Sequence, residues 1–395
     1  MPGSVILAGA RTPIGKLSGA LSGFSAMDLG GIAIAEALRR AGVAPEQVDY
    51  VFMGHVLLAG QGQITARQAA GAGGIPMSVP ATTVNKVCLS GLNAIYLADQ
   101  MIAAGDAEIV VAGGMESMSK APHLLPGARA GYRIGDGTLV DSMMFDGLTC
   151  AFDHCAMGLA TDRYNTDTLK VSRERQDEFA AASHERAATA AKEGRFADEI
   201  VTVEVPQRRG DPILVDTDEG VRPGTTTESL AGLRPAFDKD GTITAGNASQ
   251  ISDGGAAVIV TSAAKAAELG VTPLGEFVSY GQVAGPDTSL LLQPANAIAT
   301  AANKAGVSVE DIDLFEINEA FATVGLASAD HLGIPQDKLN VNGGAIALGH
   351  PIGMSGTRLA LTALLELRRR EAGLAAMALC GGGGQGDALI VRSIR

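Results

Sequence analysis

The sequence predicts an α/β protein built from two similar halves related by a pseudo-twofold axis, with a further segment inserted between them. Three observations lead there. The stretch Ala33-Ile34-Ala35, Ala41-Gly42-Val43, Glu46 and Asp49 recurs as Ala297-Ile298-Ala299, Ala305-Gly306-Val307, Glu310 and Asp313. A second echo pairs Val84-Asn85 and Ser90-Gly91 with Val341-Asn342 and Ser355-Gly356, and Gly113-Gly114 with the glycines after Cys380. Helical and strand patterns alternate through both copies, which predicts a largely parallel sheet in each. The halves are expected at 1–118 with 250–270 and at 271–395, and the insertion at 119–249.

Taken in order, Val5-Ile6-Leu7-Ala8 reads as a strand at once, with no basic, apolar and small-residue series of a signal peptide. Helices stop at Ala41-Gly42 and Ala305-Gly306, as a C-terminal glycine stops them, and feed strands at 50–53 and 314–317. Thr82-Thr83-Val84 reads as strand, and Leu89, Leu92, Ile95, Ala98 and Ile102 keep helical spacing until Gly105. In the insertion a charged helix is expected over 172–194, with Ser172 as N-cap and Phe179, Ala182, Ala187 and Ala190 as its weak apolar face. An insertion between two such halves is expected to cover a substrate.

Composition sets the class. The 395 residues are 46% hydrophobic with 51 glycines and no Trp, which suits a large core with close backbone approaches. The net charge of -13 argues against a nucleic-acid surface. Four cysteines in so long a chain form no disulfide framework and suit a reducing cytoplasm. No apolar run is expected to reach the roughly 18 residues that span a bilayer, and the ending Ser393-Ile394-Arg395 is no peroxisomal signal.

Chemistry concentrates in three glycine-rich settings. Cys88 stands where a strand passes into a helix, and a helix start favours thiolate; a buried apolar cysteine is the competing reading. His350 lies between Gly349 and Pro351, on a constrained loop with a helix opening at Ser355-Gly356 behind it, placed as a base for Cys88. Cys380 ends an apolar strand at 374–379 and opens four glycines. Another strand pattern, 387–391, follows rather than a helix, so a dinucleotide fingerprint is poorly supported. Those glycines bring backbone amides close to a reacting group. Asn318-Glu319-Ala320-Phe321 lies at another strand-to-helix passage. Cys150, His154 and Cys155 lack a second pair at ligand spacing, so no metal is expected.

On these residues the chain resembles the thiolases, and within them the bacterial acetyl-CoA acetyltransferases. Ala8 to Gly15, Gly113-Gly114-Met115-Glu116-Ser117-Met118, Asn318 to Phe321, Asn342 to Ala347 and Gly349-His350-Pro351 stand in family order. The resemblance implies that Cys88 is S-acylated, that His350 activates it, and that Cys380 exchanges the proton α to the thioester carbonyl. It implies one oxyanion site from His350 and a water on Asn318, and another from the amides of Cys88 and Gly382. The insertion becomes a CoA-binding loop domain, with contacts at Leu148, Met157, Arg222, Ser229, Phe237 and Ser249, and Phe321 lines the pantetheine path. Two acetyl-CoA would give acetoacetyl-CoA and CoA, reversibly, with no resident cofactor, in a cytoplasmic homotetramer. Many short-chain members place His before the Met-Gly pair, where this chain has Ala156. A degradative 3-ketoacyl-CoA thiolase for longer chains and a non-catalytic lipid-binding relative are the alternatives; the latter has no need of Cys88, His350 and Cys380 together.

Overall fold

The computed structural model describes residues 3–394, so Arg395 of the carboxyl-terminal reading lies outside the described residues. The first half runs β1 (Ser4–Arg11), β2 (Gly15–Lys16), α1 (Ala26–Ala41), β3 (Tyr50–Gly54), α2 (Thr65–Ala72), β4 (Ala81–Val84), α3 (Ser90–Ala104) and β5 (Ile109–Ser117). Then come β6 (His123–Leu124), β7 (Val140–Asp141), α4 (Met157–Tyr164), α5 (Arg173–Lys192), β8 (Val203–Val205), β9 (Ile213–Val215) and α6 (Thr227–Ala231). The chain returns through β10 (Ser252–Ser262) and α7 (Ala263–Leu269) to β11 (Gly275–Ala284), α8 (Gln293–Ala305), β12 (Leu314–Ile317), α9 (Ala322–Leu332), α10 (Ala345–Leu348), α11 (Ser355–Arg370), β13 (Leu374–Gly381) and β14 (Gln385–Ser393).

The internal repeat is visible in the strand order. One half runs β4-β3-β5-β10-β1 and the other β12-β13-β14-β11, with Leu339 bridging Phe315 where a fifth strand would stand. Among the described residues, the two sheets pair where Val5 and Ile6 of β1 meet Glu276 and Gly275 of β11. Both repeated helices end on left-handed glycine caps, Gly42 (φ +64°) and Gly306 (φ +67°). The expectation of largely parallel sheets is corrected. Among the named strands, parallel pairing is found at β3–β4, β3–β5 and β12–β13, because β14 returns from β13 through a tight glycine turn and β10 enters from the insertion, both antiparallel to their neighbours.

Apolar side chains define five layers. The central helices α3 and α11 share one core between the sheets, with Leu92, Ile95 and Ala98 meeting Leu359, Leu364 and Leu367. Helices α1 and α2 cover the outer face of one half, and α8 and α9 that of the other. Where α3 and α11 begin, only hydrogens separate them. A Cβ on Gly91 would lie 2.8 Å from Gly353 O, and one on Gly356 would lie 2.3 Å from Leu92 N. The 87–104 stretch, with a mean hydropathy of 1.3 over 18 residues, is long and apolar enough to cross a membrane, against expectation; in this fold it contributes α3 to the core.

The insertion helix α5 begins at the Ser172 cap and ends at Lys192, short of the expected 194. Phe179, Ala187 and Ala190 are buried as read while Ala182 is only half-buried, and Gln176, Asp177, Ser183 and His184 are buried as well. Its inner face is therefore held by polar bonds as well as apolar contact: Ser183 Oγ donates to Glu319 (2.7 Å) and Asn247 Nδ2 donates to Asp177 (2.9 Å). Buried Arg11 of β1 fixes the far side of the insertion through Glu199 and Asp218, at 2.8 and 2.7 Å.

Candidate active site

Three turns converge above the central helices. The first carries Asn85 to Leu89 between β4 and α3. Ser90 Oγ accepts from the Lys86 N–H (2.8 Å) and donates to Val87 O (2.6 Å), while Asn85 Oδ1 accepts from the Val87 N–H (3.1 Å). Cys88 keeps part of its surface accessible and packs against Val56, Leu57, Met118 and Ile352. The thiolate expected from a helix start is not what these neighbours favour. Burial pushes the thiol up to about 12, Glu116 adds to the rise, and a backbone hydrogen bond to Cys88 only partly opposes it. The helix itself opens at Ser90, with Leu89 in the cap.

The second turn is the β13–β14 hairpin. Cys380 is buried, and its thiol is pushed up by burial and then by the neighbouring Cys88. The Cys88 turn lies directly against the hairpin: a Cβ on Gly381 would come within 2.6 Å of Leu89 Cγ, and one on Gly382 within 3.5 Å of Val87 Cγ2. The structure thus brings Cys88, Cys380 and Gly382 together from opposite halves.

The third turn presents His350. Gly349 precedes it at φ +111°, and a Cβ there would meet Ser252 Oγ at 2.3 Å, so the position requires glycine. His350 Nδ1 lies 2.6 Å from Ser355 Oγ, whose proton goes to Pro351 O at 2.9 Å. Nδ1 must then carry the ring proton, which leaves Nε2 with the lone pair. Asn318 Nδ2 lies 3.4 Å from that Nε2, and Asn318 Oδ1 is buried with no partner. Burial, then the charge of Arg358, holds His350 down to about 4. The imidazole is therefore a neutral base at neutral pH.

Glu319 shows why the motif begins Asn-Glu. Its carboxylate accepts from Ser183 Oγ (2.7 Å), Asn340 Nδ2 (2.9 Å) and the Ile346 N–H (3.1 Å), tying α5 and the segment leading to His350 to the strand end that carries Asn318. Glu116 does the same on the other side. It accepts from the N–H groups of Val56, Leu57 and Gly353 and stands 3.3 Å from His55 Nε2. Neither Glu116, His55 nor Ser355 was singled out in the sequence for these contacts. A glutamate inside the apolar run of β5 was the available signal, since such residues are buried only with partners.

A cavity of about 360 Å³ ends at His350 and is lined by Leu148, Met157, Phe237, Ser249 and Phe321, with Ala156 beside them. Of the expected CoA contacts, Arg222 and Ser229 stand apart from this cavity on the exposed surface. The Arg222 N–H donates to His184 Nδ1 (3.2 Å), and Ser229 belongs to the cap of α6. A larger cavity of about 480 Å³, lined by Cys150, Cys155, Arg163 and Leu290, shares Met157 but holds none of the three convergent groups. Among the described residues, no cluster of three or more His, Cys, Asp or Glu is arranged to hold a metal ion.

Comparison with known proteins agrees along the whole length. The model of the thiolase N-terminal domain matches residues 4–264 and that of the C-terminal domain residues 271–393. A probable acetyl-CoA acetyltransferase of Mycolicibacterium smegmatis is 60% identical, over 98% of this chain and 100% of its own. The acetyl-CoA acetyltransferase of Cupriavidus necator is 53% identical over 98% of each chain. The crystal structure of the Bacillus anthracis acetyl-CoA acetyltransferase superposes with a TM-score of 0.97 at 40% identity, covering 100% of this chain and 99% of that one. With the two halves, the paired cysteine loops and the full-length matches in agreement, the chain belongs to the thiolase family.

Proposed function

We propose that this protein is an acetyl-CoA C-acetyltransferase that joins two acetyl-CoA into acetoacetyl-CoA and CoA, reversibly, through an S-acetyl group on Cys88. The observation that carries this reading is the meeting of the Cys88 turn and the Cys380 hairpin from opposite halves, with Ile352 of the neutral His350 segment packed in the same cluster as Cys88. The names of the full-length relatives support the substrate.

The proton balance closes on three side chains. His350 Nε2 takes the proton of the Cys88 thiol, and the thiolate sulfur attacks the thioester carbonyl. The departing CoA thiolate takes the proton of Cys380, which leaves a sulfur base beside the acetyl-enzyme. That base removes the α-proton of a second acetyl-CoA. The carbanion attacks the acetyl group, and Cys88 leaves and recovers its proton from His350. A thiol with a raised pKa is a strong base once ionised, which suits Cys380 to carbon acid chemistry. The N–H groups of Cys88 and Gly382 would receive one oxyanion, and Nε2–H of His350 with a water on Asn318 the other. Unpartnered Asn318 Oδ1 supports that water, because a buried polar atom normally has a partner.

Coenzyme A esters enter this scheme as substrates, without a resident cofactor. The apolar cavity suits the pantetheine arm, with Leu148, Met157, Phe237, Ser249 and Phe321 along it and Arg222 and Ser229 toward the nucleotide end. In this reading residues 119–249 form the CoA-holding domain. Ala156 on the cavity wall favours a second activity, thiolysis of 3-ketoacyl chains beyond four carbons. Work as a cytoplasmic homotetramer in fatty acid metabolism belongs to the same proposal. Exposed Ile134, Leu139, Phe145 and Phe152 on the insertion support association, since a monomer would leave them in water. Thiolysis of acetoacetyl-CoA with CoA, followed at the substrate enolate absorbance, is the direct assay. Absence of turnover would refute the activity.

A further inference from the structure

Lys86, two residues ahead of Cys88, reaches across the boundary between the halves. Its Nζ donates to both carboxylate oxygens of Asp387, at 2.7 and 2.8 Å. Asp387 is fully buried on β14, opposite Leu379 and adjacent to the Cys380–Gly386 pair of the hairpin. The same carboxylate accepts from Tyr280 Oη at 2.6 Å. The Tyr280 ring, on β11, stacks on Tyr96 of α3 with centroids 4.1 Å apart and planes 6° from parallel. The turn that carries Cys88 is thereby fastened to β14, which pairs with the strand carrying Cys380, and through Tyr280 to β11.

The turn held by this clamp is strained. Val87, between Lys86 and Cys88, has φ +50°, a costly conformation for a β-branched residue that persists only where neighbours over-determine it. Asn85, Ser90 and the Lys86 N–H fix the turn locally. The Lys86 side chain fixes it to the other half. Taking a carboxylate out of water is expensive, and apolar residues would join two halves at lower cost. What the ion pair supplies instead is a fixed direction and distance.

We propose that Lys86 and Asp387, with Tyr280, are positioning residues that hold the Cys88 turn in register with the Cys380 hairpin, so that both sulfurs meet one bound acetyl pair. This rests on the two-cysteine reading given above. Acylation draws on Cys88 and His350, whereas carbon–carbon bond formation also needs Cys380 at the right distance. Loss of register therefore slows the second step more than the first.

The test compares Lys86→Met, Asp387→Asn and the double variant with the unaltered full-length enzyme in two single-turnover measurements. One is acetylation of Cys88 by acetyl-CoA; the other is formation of acetoacetyl-CoA from preformed acetyl-enzyme. Each single change should slow the second step on the order of 10²-fold and the first by less than about tenfold, as for a small misplacement of reacting groups. The double variant should be no slower than the slower single one, because the partners act as a unit. Lys86→Arg, which keeps the ion pair, should restore the ratio of the two rates. Equal slowing of both steps, or additive losses in the double variant, would overturn the proposal, since general loosening of the fold predicts those outcomes. Should a charged-pair variant fail to fold, Tyr280→Phe removes a single oxygen; a smaller loss that still falls mainly on the second step is expected, and an unchanged ratio would count against it. An unaltered enzyme that never acetylates Cys88 would instead refute the two-cysteine reading itself.

Discussion

Ser355 Oγ accepts the ring N–H of His350: it lies 2.6 Å from Nδ1 and donates its own hydroxyl hydrogen bond to Pro351 O. One hydroxyl on the first turn of α11 thus decides which imidazole nitrogen faces the substrate. Ser355→Ala should lower kcat while leaving KM nearly unchanged, by less than the roughly 10²–10⁴-fold that a whole acid–base group is worth. Ser355→Thr should recover most of the loss. Steady-state thiolysis across both variants checks this, and a KM effect with kcat intact would contradict it.

The raised Cys88 thiol gives an unusual alkylation profile. With its pKa pushed up to about 12, the resting enzyme holds a thiol rather than a thiolate beside neutral His350. The rate of reaction with iodoacetamide should therefore climb steadily with pH through neutrality. A plateau with its midpoint below neutral pH would reveal a preformed thiolate–imidazolium pair.

Acid should unfold the protein early, and two histidines contribute. His350 and His184 are both held from 6.5 down to about 4, each by burial first and then by an arginine charge, from Arg358 and Arg222. Their folded-state pKa lies below the unfolded value. The stability they contribute is therefore fully present above about pH 6.5 and lost as pH falls through about 4, because the unfolded chain binds protons first. His184→Gln, which can still accept from the Arg222 N–H, should move the acid-unfolding midpoint to lower pH in a circular-dichroism titration. An unmoved midpoint would remove His184 from the account.

How much of this was legible in the sequence follows from what each residue type can reveal alone. Gly42, Gly105 and Gly306 marked helix ends because a left-handed cap selects glycine locally. Cys88, His350 and Cys380 stood out because reactive side chains in glycine-rich turns have few structural uses. Strand direction was not legible: β10 is an apolar run like any other, and only its entry from the insertion makes it antiparallel to β1 and β5. Nor were the polar contacts of α5, because Ser183 and His184 read as solvent-facing until Glu319 and Arg222 are placed against them. The thiol state of Cys88 also depended on packing, since the helix-start argument omitted the apolar wall of Val56, Leu57 and Ile352.

Ala156 stands on the wall of the apolar cavity, beside Met157 and Phe237. Each methylene in such a pocket changes binding by about 1–3 kcal/mol. The enzyme should cleave 3-ketoacyl-CoA chains somewhat longer than acetoacetyl-CoA, and Ala156→His should remove that activity while sparing the four-carbon substrate. Steady-state rates over a series of chain lengths decide it. Complete rejection of longer chains by the unaltered enzyme would refute the reading.

Arg222 is exposed and lies outside the cavity, so the contact proposed for it is with the far end of a CoA ester. Arg222→Ala should raise KM for acetyl-CoA more than it lowers kcat, because remote binding changes little between ground and transition state. A truncated pantetheine thioester should be indifferent to the change. Equal losses on both substrates would place Arg222 elsewhere in the mechanism.

In the proposed mechanism Cys88, and not its neighbour across the half-boundary, carries the acyl group. Brief exposure of the full-length enzyme to acetyl-CoA alone, followed by acid quench, proteolysis and peptide mass spectrometry, measures this directly. One acetyl group per chain is expected, on the peptide containing Cys88, in the unaltered enzyme and in Cys380→Ser, and none on that peptide in Cys88→Ser. Acetyl label on Cys380 or Cys150 in the unaltered enzyme would contradict it.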